Sequence, residues 1–265
     1  MIDGRDMTQE LLYDKREDVG WITFNRPQAR NALTFAMYEG LAEICARIGH
    51  TREVKALVVT GAGDKAFAAG TDIAQFKEFE SGEDGIAYER KMDRILEAVE
   101  RCAVPTVAAI AGFCTGGGAA IAAVCDIRIA TTNAQFGFPI ARTLGNCLSM
   151  ANYARLAALI GPQRVKEMIF LAKLIDGPTA LQTGLVSELA PDAAAVQARA
   201  QALAQTMAGH APLTLQVTKE ALRRLQARLA DDDIDDLIRL AYGSADFREG
   251  MAAFLGKRMP TWSGT

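Results

Sequence analysis

The sequence predicts an α/β core on a largely parallel sheet, followed by a helical C-terminal region. Three observations carry this. Short apolar runs alternate with helical periodicity through the first half of the chain. Runs such as VKALVVTGAG and VPTVAAIAG are apolar at successive positions, which predicts strands covered on both faces. From about Ser149 onward the pattern is almost wholly helical. Gly161-Pro162 and Gly177-Pro178 read as turns, and no low-complexity linker intervenes. The core is placed at 10–200 and the helical region at 201–265.

Residues 1–9 read as a disordered start. Leu11 to Asn25 (LLYDKREDVGWITFN) reads as a β-hairpin whose turn is the charged stretch from Asp14 to Gly20. Pro27 ends the second strand. Phe35, Tyr38, Leu41, Ile44 and Ile48 share one face of a helix over about Thr34 to Ile48. VKALVVTGAG is a buried strand with a glycine exit, and AFAAGTDIAQF a small-residue turn leading into a helix. Tyr88 to Cys102 is an amphipathic helix. VPTVAAIAG is the next strand, TGGGAA opens a buried helix, and DIRIAT is a short strand. PDAAAVQARAQALAQTMAG and the segment Asp233 to Lys257 are long amphipathic runs. DDDIDD (Asp231 to Asp236) is a favourably charged helix N-terminus.

Composition narrows the function. The chain has 265 residues, of which 50% are hydrophobic and 23% charged, an ordinary globular balance. A net charge of -3 and the lack of a basic run argue against nucleic-acid binding. The five cysteines are odd in number and lack metal-ligand spacing, so they read as reduced thiols of a cytoplasmic protein. No metal site is expected. MIDGRDMTQE is too polar for a secretory leader, and the longest apolar run, Val104 to Ala111, is too short for a bilayer.

Two glycine-rich turns, FAAGTDI and TGGGAA, each follow a strand and lead towards a helix. Small residues let a ligand approach the backbone, and a helix start leaves N–H groups outward on the positive end of the dipole. Two such turns on adjacent strands would aim two N–H groups at one oxygen, as in an oxyanion hole. Close helix–sheet packing is the plainer reading. A phosphate cradle lacks support, because neither turn has a GxxxxGK[ST] or GxGxxG pattern.

The order and spacing of several segments resemble the crotonase superfamily, the enoyl-CoA hydratase/isomerase family. These are NRPQARNAL, AFAAGTDI, the Val104 to Ala130 block, AQFGFP, LIDGPTALQTGLVSEL, PLTLQVTKEAL and EGMAAFLGKR. The resemblance implies a spiral of ββα units, a homotrimer or dimer of trimers, and an acyl-CoA thioester substrate, with coenzyme A as part of the substrate and no separate cofactor. It implies that the backbone N–H groups of Thr71 and Gly117 receive the thioester oxygen. Ala29, Lys65, Ala69, Asp72 and Ile73 join the coenzyme A set; Phe254 and Lys257 match positions that reach the coenzyme A of a neighbouring subunit. Asp72 also reads as a helix cap, and either lysine alternatively as a solvated surface residue.

Hydratases of this family carry two glutamates, one just after the triple glycine and one after the proline of FGxP. Here those positions are Ala120 and Ile140. The nearby polar set is Thr71, Arg142, Thr143, Asn146, Cys147 and Ser149. Arg142 would fork onto a substrate carboxylate, and Asn146 or Thr143 would hold a leaving group. Asp126 reads as structural; Glu78, Glu80 and Glu89 as a solvated helix face, with a base from that segment as the alternative. Cys114 lacks a partnered histidine, the chain having only His50 and His210. The expectation is an acyl-CoA enzyme of the hydratase/isomerase family. The alternatives are a decarboxylase or other lyase of a 2-carboxyacyl-CoA, and a non-catalytic acyl-CoA binder.

Overall fold

β1 (Leu11–Arg16) and β2 (Val19–Phe24) form the expected antiparallel hairpin, with Leu11 opposite Phe24 and Arg16 opposite Val19. Its turn is tighter than the charged stretch suggested. Asp14 to Arg16 and Val19 to Gly20 are paired strand, and Glu17 turns the chain at φ 56°. The computed structural model describes residues 9–230 and 232–265. The expected disordered start therefore lies outside the described residues except for Gln9, whose carbonyl accepts from Asn25. Asp231 of the acidic run lies outside them too.

After α1 (Phe35–Thr51), three consecutive turns repeat one pattern. β3 (Ala56–Gly61) and β4 (Ala66–Ala68) precede a 3-10 turn at Ile73–Phe76 and α2 (Gly82–Glu100). β5 (Thr106–Ile110) and β6 (Phe113–Thr115) precede α3 (Gly117–Val124); β7 (Ile127–Thr131) and β8 (Gln135–Gly137) precede α4 (Ile140–Thr143). The chain continues through α5 (Met150–Ile160), α6 (Pro162–Phe170), β9 (Ile175–Asp176), α7 (Gly177–Gln182) and β10 (Glu188–Ala190). It ends on α8 (Ala193–Ala208), α9 (Pro212–Ala227), α10 (Asp235–Tyr242) and α11 (Ala245–Leu255).

The first strand of each turn adds to a sheet of order β1-β2-β3-β5-β7-β10, parallel from β2 onward. The second strand adds to a smaller sheet of order β4-β6-β8-β9. This is the ββα spiral that the resemblance implies. β6, β8, β9 and β10 have only two or three residues each, too few for a legible period, and sequence reading leaves them as loop or helix.

The large sheet is buried on both faces, which explains its unbroken apolar strands. One face packs on the main core with α1, α2 and α3. On the other, Trp21, Val58, Val107 and Ile129 meet Val196, Ala200 and Ala204 of α8. A boundary at residue 200 thus passes through the middle of a helix that seals the core. The segment Asp233 to Lys257 is two helices, broken at Gly243; Ser244 caps the second, its Oγ accepting from the Phe247 N–H at 2.9 Å. α2 starts earlier than Tyr88, under a capping box of Ser81 and Asp84. α9 buries no side chain, and Leu213, Val217, Leu222 and Leu225 on it are exposed.

Candidate active site

The two glycine-rich turns lie side by side because β4 and β6 are adjacent parallel strands, Ala66 opposite Phe113 and Ala68 opposite Cys114. Beyond β4, Leu33 donates to the Gly70 carbonyl and accepts from the Asp72 N–H, both at 2.8 Å. In a parallel bridge the residue between those two groups faces the other way. Among the described residues the Thr71 N–H accordingly has no protein acceptor, and neither does the Gly117 N–H at the first turn of α3. Both residues line one apolar pocket.

Each glycine of the triple has its own reason. Gly116 turns the chain at φ 52°, where a side chain strains the backbone. A Cβ at Gly117 would sit 1.7 Å from the Tyr38 hydroxyl, and one at Gly118 would sit 2.3 Å from the Ala68 carbonyl oxygen. Gly117 is therefore small because a phenol occupies the space of its side chain. The same phenol lies 2.9 Å from Thr71 Oγ1, and Tyr88 approaches that oxygen at 3.0 Å. Burial pushes both phenols well above their usual range, so they are neutral hydroxyls at physiological pH. This Tyr38–Thr71–Tyr88 cluster is not part of the sequence reading; the partners lie 17 and 33 residues from Thr71.

The wall made by α2 carries Glu89, which is only 4% exposed and lines the pocket. The Tyr242 hydroxyl donates to its Oε1 at 2.6 Å and the Ser149 N–H to its Oε2 at 3.1 Å. Burial is the main influence on its carboxyl, pushing it up to about 8, with the nearby Asp93 carboxyl adding to the rise. The two donated hydrogen bonds oppose that shift without cancelling it. Asn146 Nδ2 donates to the Tyr242 oxygen at 3.1 Å, while Asn146 Oδ1 is buried with no partner among the described residues.

Seven of the expected residues meet here: Thr71, Gly117, Thr143, Asn146, Ala69, Ile73 and, at the mouth, the half-exposed Phe254. Ala120 and Ile140 are also in the lining. Arg142 is not: it is exposed and absent from the pocket wall. α4 is a single turn in which Ile140 and Thr143 face inward. At about 3.6 residues per turn, Arg142 must face outward. Ala29, Lys65 and Lys257 lie outside the lining, the two lysines exposed. Asp72 accepts from the Ala74 N–H at 3.1 Å and pairs with Arg26 at 3.0 Å, as a cap would.

Asp126 joins the starts of β5 and β7 to α9, accepting from the Thr106 N–H at 2.7 Å and from Lys219 at 2.7 Å. Glu78 and Glu80 are exposed, whereas Glu89 corrects the solvated-face reading. A signal for it exists in the sequence. Ile86, Glu89, Met92, Leu96 and Val99 share the buried face of α2, so an acid stands in an apolar stripe. Cys114 is buried, with its thiol pushed well up by desolvation, and His50 and His210 are exposed away from the pocket. Cys147 lies next to the pocket residues, also pushed up by burial, to about 12. Among the described residues no group of three metal-ligating side chains exists, and no helix is long and apolar enough to cross a membrane.

Comparison with known proteins gives one answer. The model of the family described as enoyl-CoA hydratase/isomerase matches residues 14–265. A short-chain-enoyl-CoA hydratase of Clostridium acetobutylicum is 34% identical over 259 residues, covering 94% of this chain and 95% of that protein. An enoyl-CoA hydratase/carnithine racemase of Magnetospirillum magneticum superposes with a TM-score of 0.77 at 31% identity, over 97% of this chain and 96% of that one. A methylmalonyl-CoA decarboxylase in complex with 2-nitronate-propionyl-CoA superposes with a TM-score of 0.87 at 26% identity, over 97% and 99% of the two chains.

Proposed function

The chain belongs to the enoyl-CoA hydratase/isomerase family of acyl-CoA enzymes, and on that premise we propose that it processes an acyl-CoA thioester through an enolate held by the N–H groups of Thr71 and Gly117. The observation that carries this is the pair of unpartnered backbone donors at neighbouring strand exits, both facing one apolar pocket. Negative charge grows on the thioester oxygen as the enolate forms. Donors already in place stabilise that charge without reorganising, and loss of one typically costs roughly 10²–10³ in rate. The first turn of α3 adds the positive end of a helix dipole.

Addition of water to a 2-enoyl-CoA, or its reversal, is the reaction favoured here, because relatives of this chain are named as hydratases of such thioesters. Ala120 and Ile140 take the place of the two glutamates that hydratases of the family carry, and neither moves a proton. That same deficiency favours a second reading, decarboxylation of a 2-carboxyacyl-CoA, which needs no base to begin. The likeness to methylmalonyl-CoA decarboxylase supports it. Against it, Arg142 is outside the pocket, and among the described residues no cationic side chain is in the lining.

The coenzyme A moiety would run past Phe254 at the mouth towards Ala29, Lys65 and Lys257, with Asp72 bracing the turn. The exposed apolar side of α9 supports a homotrimer or dimer of trimers, since leucines left in water favour association. A cytoplasmic setting fits the five free thiols. The test is mass spectrometry on a panel of 2-enoyl, 3-enoyl and 2-carboxyacyl thioesters of several lengths. Gain of water is the expected product; loss of carbon dioxide would instead establish the second reading. Binding of thioesters with no conversion of any would leave a non-catalytic binder and overturn both.

A further inference from the structure

We propose that Glu89 is the group that carries a proton to and from the acyl chain in this pocket, with the Asn146 amide oxygen seating the water or hydroxyl beside it. This rests on the enolate reading and supplies the proton carrier that Ala120 and Ile140 do not.

Three features of the pocket point to Glu89. First, among the described residues Glu89 is the sole carboxyl in the pocket lining. Asp72 is committed to Arg26 and the Ala74 N–H, and Glu78 and Glu80 face solvent. Second, both neighbouring protein donors, Tyr242 and the Ser149 N–H, already point at the two oxygens of Glu89. A proton carried by the carboxyl itself is thus left with the pocket to face. Third, Tyr242 gives its one proton to Glu89, so the amide atom 3.1 Å from the phenol oxygen must be the donor Nδ2. Asn146 Oδ1 then stands buried in the same wall without a partner. A buried orphan acceptor asks for a donor from a ligand, and a water or a 3-hydroxyl supplies one.

The step balances on one carboxyl. As the oxygen of water bonds to C3 of the 2-enoyl thioester, the C2–C3 π electrons move towards the thioester oxygen between the Thr71 and Gly117 N–H groups. One proton of that water passes to a Glu89 oxygen. The proton that Glu89 already held passes to C2. Water is added across C2 and C3, and the carboxyl ends protonated as it began. Dehydration runs the same transfers backwards.

Titration sets the direction of the test. The titratable groups facing Glu89 are Asp93 on its own helix, Tyr242 on α10, Cys147 and Tyr153 from the 147–153 segment, Tyr88 beside it, and Tyr38 on α1. The phenols and the thiol are all raised by burial, so they stay neutral through the range in which Glu89 titrates. Asp93 accepts from Ser149 Oγ at 2.7 Å and lies 3.7 Å from Arg155. With Glu89 titrating at about 8, the proton-bearing form predominates at neutral pH and is lost above it.

The experiment compares wild type with Glu89→Gln and Glu89→Asp on the thioester that the wild type turns over best. We expect Glu89→Gln to lower kcat by about 10²–10⁴, the usual worth of general acid–base catalysis, with thioester binding by calorimetric titration within threefold of wild type. Wild-type kcat should fall above pH 8, Glu89→Asp should retain part of the rate with its own alkaline limb, and the residual rate of Glu89→Gln should have no such limb. Glu89→Gln within threefold of wild type, or an alkaline limb that survives in it, overturns the role. If Glu89→Gln fails to fold, the wild-type profile decides: kcat flat from pH 6 to 10 overturns the proposal. Wild type inert towards every thioester overturns the enolate reading itself, an outcome distinct from an active enzyme indifferent to Glu89.

Discussion

The pocket has two walls made on different principles. The strand-end wall offers backbone groups, the N–H pair of Thr71 and Gly117, held by the parallel pairing of β4 with β6 and by the Leu33 bridge. The helical wall offers side chains, Glu89 and Asn146, both hydrogen-bonded to Tyr242, which lies 153 residues from Glu89 and outside the lining. Backbone donors fixed by a sheet change little when neighbouring side chains change. A side-chain network is easily redesigned without disturbing the sheet. On the proposed reading, the backbone pair stays with the sheet while the proton carrier stands at position 89 rather than at 120 or 140.

The largest effect is expected at Gly117. In a Tyr38→Phe background, which removes the hydroxyl that a Cβ would strike, Gly117→Ala keeps the donor and Gly117→Pro deletes it. Proline is tolerated at the first position of a helix. The proline variant should turn over roughly 10²–10³ more slowly than the alanine variant, measured as kcat on the best thioester. Equal rates would remove the N–H from the mechanism.

Tyr242→Phe probes the other wall with a smaller effect. The Tyr242 hydrogen bond lowers the Glu89 titration, so its loss should move the alkaline limb of kcat upward from about pH 8. A net hydrogen bond of about 1 kcal/mol corresponds to somewhat under one pH unit. A downward shift would mean that Tyr242 does not donate to Glu89.

Stability separates the walls again. Glu89 has a folded value of about 8 against an ordinary 4.5. The native state keeps a proton that the unfolded chain releases, so this contribution is complete below about 4.5 and is lost as pH rises through 8. Glu89→Gln should therefore gain stability relative to wild type between pH 5 and 8, by at most about 1.4 kcal/mol per unit. Denaturant unfolding at both pH values checks it. Arg142→Ala should do least: with Arg142 exposed, kcat should change less than about twofold, as is usual for surface substitutions.

Much of the strand-end wall is legible in the sequence. Apolar runs mark the strands, and the glycines of FAAGTDI and TGGGAA mark where a ligand can approach the backbone. The helical wall is not, because proximity across α2, α10 and the 146–149 segment is tertiary. Asn146 is recognised as a pocket residue, yet its partner Tyr242 comes from a helix whose packing no local period reveals. Glu89 is a mixed case. Its position in the apolar stripe of α2 is visible, but acids on amphipathic helices usually face water, and that expectation prevails until burial is known. Arg142 fails for a simpler reason: it lies in a stretch that forms one helical turn, and its neighbours at 140 and 143 take the inward face.

In the proposed site the N–H groups of Thr71 and Gly117 polarise a thioester carbonyl. The direct measurement is difference infrared spectroscopy of an enoyl thioester labelled with ¹³C at the carbonyl, bound to wild type and to the Gly117→Pro, Tyr38→Phe variant. The stretch should move to lower frequency on binding to wild type and return towards the free value in the variant. A carbonyl that keeps its solution frequency while calorimetry shows the thioester bound would contradict the account.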